Sequence, residues 1–227
     1  MIATRCRLLP PAAWAVLLLL FAGCATPPKL SVGPDPALFA RTAAATATKV
    51  AGRVALWVPP QVAAMHNVGE RPLGASSDLR IPIGRIVEQA VQLALGDALA
   101  GGVESVAAMP AAGAGHLATL VLDAVRGVDR SRILWLLPVP ILGVIGDTEF
   151  DVQVAIDMRL LDAQGRTVWT HRYDSGRAVW QRPAGSGESA SAGIVRLTHE
   201  AAWRLAQQAV AELREWLEAE RLRPREL

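Results

Sequence analysis

The sequence predicts an α+β domain, an antiparallel-rich sheet of four to five strands with two helices on one face, in the order β-α-β-β-β-β-α. Three patterns support this prediction. Apolar and polar side chains alternate strictly from Phe150 to Leu160, as on a strand that is buried on one side. Apolar side chains recur at helical spacing after Pro82 and again from Val195 to Leu217. A sheet and helices of this kind bury their apolar faces against each other.

The first half of the domain is predicted to contain a strand, a loop and a helix. Lys49 to Val58 alternates until Pro59-Pro60 ends the pattern, so we expect a strand. Gln61 to Arg80 contains several turn residues and no period, which predicts a long loop. Pro82 is tolerated in the first turn of a helix, and the helical spacing after it continues until Gly101-Gly102.

The second half is predicted to contain four strands and the last helix. Val103 to Met109 and His116 to Arg126 are apolar enough for two strands, and the alternating segment described above is the third. Asp162 to Gly165 has the composition of a hairpin turn, so Thr167 to Tyr173 is the expected partner strand. A long amphipathic helix, about 192–221, closes the chain.

The first 24 residues have the pattern of an export signal. Arg5 and Arg7 are the only charged side chains before an uninterrupted apolar run from Ala12 to Ala22, which is too short to span a bilayer as a finished helix. The run ends in Phe21-Ala22-Gly23-Cys24, which resembles the lipobox of bacterial lipoprotein precursors, although Leu is usual where Phe21 stands. In a lipobox, small residues let a peptidase cut before the cysteine, whose sulfur takes a diacylglycerol. The resemblance makes Cys24 the expected lipidation site.

This signal divides the chain into four segments. Residues 1–23 are the predicted signal peptide, and 24–48 are the lipidated cysteine and a flexible tether rich in Pro, Ala and Thr. Residues 49–222 are a single periplasmic domain, and 223–227 are a tail. As a flexible coil, the tether would reach about 25–30 Å.

Charge and cysteine content exclude several classes of function. Two of the 23 basic side chains lie in the signal, so 21 remain against 21 acidic ones and the mature chain is neutral. A neutral chain lacks the basic surface that phosphate contacts need, so we expect no nucleic-acid partner. Cys6 leaves with the signal and Cys24 would be acylated, so no thiol remains for a disulfide or a soft-metal site.

No motif indicates a cofactor, a metal or a catalytic site. His199-Glu200 begins like a zinc-protease helix, but Trp203 stands where that motif needs its second histidine, so His199 is expected to be a buried helix residue with a satisfied ring. His171 is expected to form a surface cross-strand cluster with Trp169 and Tyr173 rather than to act as a base. We therefore expect no enzyme activity and no cofactor.

One segment between two predicted strands is unusually apolar. Ile133 to Ile145 contains no charged or polar side chain, and its prolines and glycine rule out a spanning helix. The more common explanation is structural: the segment covers an open end of the sheet or adds an edge strand. The other explanation is a contact surface for a lipid, a membrane or a partner protein. Its candidate residues are Leu134, Trp135, Leu136, Leu137, Val139, Ile141 and Leu142.

Taken together, the lipobox at Cys24, the Pro-rich tether, the hairpin 160–169 and the closing amphipathic helix resemble small proteobacterial envelope lipoproteins, including auxiliary lipoproteins of ABC-type transport systems. The resemblance implies a non-enzymatic accessory to lipid transport or envelope assembly, held by its lipid anchor. Ala25, rather than Asp, after the cysteine resembles the outer-membrane sorting rule, which implies the periplasmic face of the outer membrane. The alternative is a docking lipoprotein that scaffolds an envelope complex without a small-molecule ligand.

Overall fold

The protein is described here by a computed structural model that covers residues 33–39, 49–70, 79–110, 118–133, 137–139, 143–145, 148–181 and 190–222. A short 3₁₀ turn at Pro36–Leu38 comes first. The elements that follow in these ranges are β1 Val54–Trp57, α1 Pro60–Ala63, β2 Val68–Glu70, α2 Ile83–Ala98, β3 Val103–Val106, β4 Ala118–Ile133, β5 Leu137–Val139, β6 Gly143–Ile145, β7 Thr148–Asp162, β8 Thr167–Asp174, β9 Ala178–Gln181 and α3 Ala190–Leu222.

Seven of these strands form one mixed sheet. Its order is β3-β1-β4-β7-β8, with β2 also paired to β4 and β9 also paired to β7. The pairs that involve β1 and β2 are parallel, whereas β4, β7, β8 and β9 pair in antiparallel fashion. The predicted α+β class is confirmed, but the sheet has more strands than the four to five that were predicted.

The longest pairing in the sheet is the hairpin of β4 and β7. It runs from Ala118 opposite Asp162 to Ile133 opposite Thr148, with one irregularity between Leu122 and Ala124. We call the end of this hairpin at Ala118 and Asp162, beside the turn 162–165, the turn end. We call the opposite end, at Ile133 and Thr148, the tip end. In that turn, Gly165 has a φ of 77°, which a residue without Cβ adopts at no steric cost.

Both long helices pack on one face of the sheet. They contact each other, α2 contacts β4 and α3 contacts β7. A Cβ on Gly127 would lie 2.9 Å from Cγ1 of Ile83, so the start of α2 rests directly on β4. Of the alternate side chains of β7 that were predicted to face the core, Phe150 is partly buried and the other five are buried: Val152, Val154, Ile156, Met158 and Leu160.

Several predicted boundaries were wrong. The first strand is shorter than 49–58, β4 continues seven residues past Arg126, and β9 was not predicted. The segment 61–80, predicted to be a loop, contains part of α1 and all of β2. Side-chain hydrogen bonds, rather than a periodic pattern, hold Asn67 just before β2: its amide oxygen accepts from Ile81 N–H at 2.9 Å, and its amide nitrogen donates to the buried Asp129 carboxylate.

Candidate functional site

The predicted site residues lie partly outside the described residues. Cys24 is outside them, and so are Leu134, Trp135, Leu136, Ile141 and Leu142 of the predicted contact surface. The other two residues of that surface, Leu137 and Val139, lie in β5. Strand β5 pairs with β6 in a two-stranded sheet of its own, with Leu137 opposite Ile145 and Val139 opposite Gly143.

We call residues 134–147 the hairpin tip, because they connect the last pair of the β4 and β7 hairpin, Ile133 and Thr148. Among the described strands, β5 and β6 pair with each other and with no strand of the main sheet. The described strands of this segment therefore add no edge strand to the main sheet. They lie in the chain between the two residues of the last pair of the longest hairpin.

A buried ion-pair cluster lies close to the base of the hairpin tip. The side chain of Asp151 on β7 is 1% exposed, and its carboxylate accepts from Arg177 at 2.6 Å and from Arg130 at 3.4 Å. Arg177 and Arg130 come from different sides of β7, one just before β9 and one on β4. A buried carboxylate needs such partners, because an unpaired buried charge is costly. The cluster ties together the strands from which the tip extends.

The sheet face opposite the helices is polar, and its charges pair across strands. Arg159 lies 3.1 Å from Asp123, and Arg172 lies 3.5 Å from Asp157. Burial raises the pKa of Asp123, while the nearby Arg159 opposes that rise. In these pairs each positive charge lies beside a negative one.

Part of the predicted tether packs on the domain. We call residues 33–39 the docking segment. Asp35 caps the 3₁₀ turn through Oδ1, which accepts from Ala37 N–H at 2.9 Å, and Phe39 is 2% exposed. The Phe39 ring lies 5.2 Å from the His199 ring and 5.9 Å from the Trp203 ring, between ring centroids. This stretch of the segment 24–48 is therefore attached to α3 and is not free chain.

His199 on α3 contacts the docking segment through its ring. Its side chain is fully buried, as predicted, and both ring nitrogens have partners. Nδ1 lies 2.8 Å from Val195 O, and Nε2 accepts from the Asp35 backbone N–H at 3.1 Å. A carbonyl can only accept, so the proton lies on Nδ1 and the ring is neutral. Burial lowers the pKa of His199, which stabilises this neutral form.

The second histidine prediction is right that His171 meets Trp169 and Tyr173, but the cluster runs along one strand rather than across strands, and Tyr173 is buried. Trp169, His171 and Tyr173 stack along β8, with the His171 and Tyr173 ring centroids 4.6 Å apart. The Tyr173 hydroxyl donates to Glu212 Oε2 at 2.9 Å, and His171 Nε2 lies 3.5 Å from the same oxygen. Burial raises the pKa of Tyr173 above its ordinary value, so the hydroxyl stays protonated. Its hydrogen bond to Glu212 connects β8 to α3.

The described residues contain neither a candidate membrane-spanning helix nor a candidate metal site. None of the described helices combines the length and apolar character that a bilayer-spanning segment requires. In the same part of the chain, no group of three or more His, Cys, Asp or Glu side chains is arranged to hold a metal ion.

The sequence prediction missed the docking segment, although local signals for it exist. Asp35 followed by Pro36 is a favourable start for a helical turn, because Asp accepts from the next free N–H and Pro needs no partner for its nitrogen. Phe39 is the one aromatic residue between Cys24 and Lys49. An aromatic residue in an otherwise small and polar tether indicates a contact.

Several solved structures of bacterial proteins align with this chain at low identity. A minor lipoprotein from Acinetobacter baumannii aligns with a TM-score of 0.42 at 15% identity, covering 74% of this chain and 95% of that one. A DUF330 protein from Xanthomonas campestris aligns with a TM-score of 0.39 at 12% identity, covering 84% and 96%. A homolog of neuraminyllactose-binding hemagglutinin from Helicobacter pylori aligns with a TM-score of 0.45 at 9% identity, covering 83% and 100%. No protein-family model matches the chain. No curated protein matches it.

Proposed function

We propose that this chain is a non-enzymatic lipoprotein of the outer membrane that is an accessory to lipid transport or envelope assembly. In this proposal Cys24 carries the lipid anchor and the hairpin tip contacts lipid. The observation that supports it best is the separate ribbon of β5 and β6 at the end of the β4 and β7 hairpin. Twelve consecutive residues of the hairpin tip, 134–145, carry no polar side chain, and the two described strands among them lie outside the main sheet.

The composition of the tip suits the membrane interface better than the hydrocarbon interior. A two-stranded ribbon leaves its outer backbone groups unpaired, and such open edges do not occur within the hydrocarbon region. At the depth of the lipid headgroups water can still satisfy these groups, while the apolar side chains reach the acyl boundary. Trp135 belongs to a residue type that is enriched at this depth.

The charge balance of the chain favours hydrophobic contact over electrostatic attraction. The mature chain carries 21 basic and 21 acidic side chains, and cross-strand pairs bind several of them. A polybasic surface would gain about 1 kcal/mol per Lys or Arg near anionic lipid, and this chain has no such excess to contribute. Membrane contact by the tip should therefore be insensitive to salt.

Lipidation and tip contact would act together. Each buried CH₂ of an acyl chain contributes about 0.8 kcal/mol, so one chain anchors marginally and two or more anchor stably. With the domain held at the membrane by Cys24, even a weak contact by the tip becomes an intramolecular step at high effective concentration.

The test is a pair of measurements on Leu136→Asp, thermal melting and the amount of phospholipid that co-purifies with the protein. Gln164→Asp at the exposed turn end is the matched control, since it adds the same charge far from the tip. Unchanged melting with lost phospholipid in Leu136→Asp alone supports the proposal. Collapse of the fold would instead assign the segment to the core.

The same preparations separate the proposal from its alternative. If wild type carries an envelope protein rather than phospholipid, and Leu136→Asp loses that protein, the chain is a docking lipoprotein. If neither melting nor co-purification changes, the tip has no contact role and the proposal fails.

A further inference from the structure

The chain attaches to the domain at two separate places before β1. The first is the docking segment, which contacts His199 and Trp203 on α3. The second is Lys49 and Val50, where Lys49 Nζ donates to Gly96 O at 2.8 Å and Val50 forms a parallel bridge with Leu99. Both attachments use residues before the first strand of the sheet.

The second attachment lies at the turn end of the domain. Val54 at the start of β1 pairs with Ala118, and Ala118 pairs with Asp162 in the turn end of the long hairpin. Because β1 and β4 are parallel, residues that precede Val54 lie farther from the hairpin tip than Ala118 does. Val50 therefore joins the domain beyond the turn end.

The docking segment lies nearer to the tip end. A Cβ on Gly193 would lie 2.9 Å from the Trp180 ring, so the start of α3 rests on β9, where Trp180 pairs with Phe150. From Gly193, the helix α3 runs six residues, about 9 Å, to His199. In the other direction, β7 runs two residues, about 7 Å, from Phe150 to Thr148 in the last hairpin pair. The docking segment is thus about 16 Å along the domain from the base of the hairpin tip.

The two attachments place the start of the free chain to Cys24 at different ends of the domain. Nine residue steps separate Cys24 from Gly33, which can span about 30 Å, enough to reach the level of the tip from the docking segment. If the docking segment were released, 25 residue steps would separate Cys24 from Lys49, about 80 Å, and the anchor would leave from the turn end.

We infer that the docking segment selects which end of the domain faces the membrane. When it is bound to α3, the anchor leaves from the tip half and the hairpin tip turns toward the bilayer that holds Cys24. When it is released, the anchor leaves from the turn end and the tip can face away from that bilayer. This inference rests on the proposed function, which assigns the lipid to Cys24 and the contact to the tip.

The contacts of the docking segment suit a part that binds and releases as a unit. Residues 33–37 are exposed, and the attachment relies on Phe39, on the partly buried Leu38 and on one backbone hydrogen bond to His199. Parts of a protein with few buried contacts open locally without global unfolding. Removing the Phe39 ring should therefore release the segment.

The experiment uses the full lipidated protein in vesicles of phosphatidylethanolamine and phosphatidylglycerol. The acylated Cys24 leaves no other thiol in the mature chain, so one added cysteine gives one labelled site. Val179→Cys, 52% exposed on β9, reports the tip end, and Gln164→Cys reports the turn end. Energy transfer from the label to an acceptor on the lipid headgroups measures how close each end lies to the membrane.

We expect the label at position 179 to transfer more strongly than the label at 164 in the otherwise wild-type chain. Phe39→Ala should remove this difference. Asp35→Ala, at an exposed position that caps the 3₁₀ turn, should reduce the difference in transfer between the two labels. If Phe39→Ala fails to fold, Asp35→Ala is the variant that tests the inference. Equal transfer from both sites without these substitutions, stronger transfer from 164, or a difference that persists in both variants would overturn the inference.

The inference and the proposed function fail separately. Leu136→Asp leaves the docking segment intact, so the difference between labels 179 and 164 should persist in it even if the tip binds no lipid. In the chain without Leu136→Asp, a label difference with no lipid contact by the tip would count against the tip alone. A preserved lipid contact with no label difference would count against the docking segment alone.

Discussion

His199 Nε2 accepts a hydrogen bond from the backbone N–H of Asp35 at 3.1 Å, across 164 residues of sequence. The opposite ring nitrogen faces Val195 O at 2.8 Å, so both bonds require the neutral ring with its proton on Nδ1. Protonation would place a second N–H directly against the Asp35 N–H. One side chain therefore links α3 to the segment that follows Cys24, the predicted lipidation site.

The first prediction concerns pH. Burial holds the pKa of His199 below its ordinary 6.5, and the Asp35 carboxylate and the bond to Val195 O oppose that shift. Below pH 6.5 the unfolded chain binds more protons than the folded one, so stability is full above pH 6.5 and falls as the pH drops toward the folded pKa. Urea denaturation from about pH 8 to about pH 5 should show this decline. His199→Gln should lose that slope, and His66→Gln, at an exposed position, should keep it.

The second prediction concerns the buried face of β7. Val154 is 0% exposed opposite Gly127, so Val154→Asp places an unpaired charge under the helices and should cost more than about 4 kcal/mol of stability. Ala155→Asp, one residue along on the polar face and opposite Arg126, is the control and should melt near wild type. Cooperative melting of Val154→Asp at the wild-type temperature would disprove the register.

The third prediction concerns the bond that ties β8 to α3. Tyr173→Phe removes the hydroxyl that donates to Glu212 at 2.9 Å. Hydrogen bonds to charged groups contribute about 1.5–3 kcal/mol, but the Glu212 side chain is 38% exposed and water can replace the donor, so we expect a loss of about 1 kcal/mol. Denaturation in urea measures it, with Thr170→Ala on the opposite face of β8 as control. A Tyr173→Phe variant as stable as wild type would show that the bond contributes nothing.

The fourth prediction concerns the anchor. Oxygen cannot replace the thiol in this acylation, so Cys24→Ser should leave an uncut or soluble precursor, whereas Cys6→Ser within the signal should still be acylated. Membrane fractionation compares the two variants. A serine variant at position 24 that sediments with membranes as firmly as wild type would refute lipidation, and recovery of wild type in the inner membrane on a density gradient would refute the sorting expected from Ala25.

The sequence predicted those parts of the fold whose burial follows a period. In β7, α2 and α3, apolar residues recur at the spacing of a strand or a helix over several repeats. The sequence therefore indicates which face of each element is buried. Strands β2 and β9 have three and four residues, too few for a period, and β2 forms where Asn67 bonds to Ile81 and Asp129. Such bonds join residues far apart in sequence and leave no local pattern.

The site was predictable to a smaller extent. The apolar character of 133–145 is visible in the sequence, but its pairing as a separate ribbon depends on the register of the long hairpin around it. The docking segment depends on Phe39 meeting His199 and Trp203, a contact that a single aromatic residue in a Pro-rich stretch does not specify. Hydrogen bonds to the His199 ring were expected, but the Asp35 backbone N–H was not predicted as a donor.

Quenching of tryptophan fluorescence by lipids brominated on their acyl chains tests the central claim, contact of the hairpin tip with lipid, most directly. The account predicts that vesicles of brominated lipid quench the lipidated wild-type protein and that Trp135→Phe removes this quenching. Trp169→Phe, on β8 away from the tip, should leave it unchanged. Quenching that is absent in wild type, or that survives in Trp135→Phe, would contradict the account.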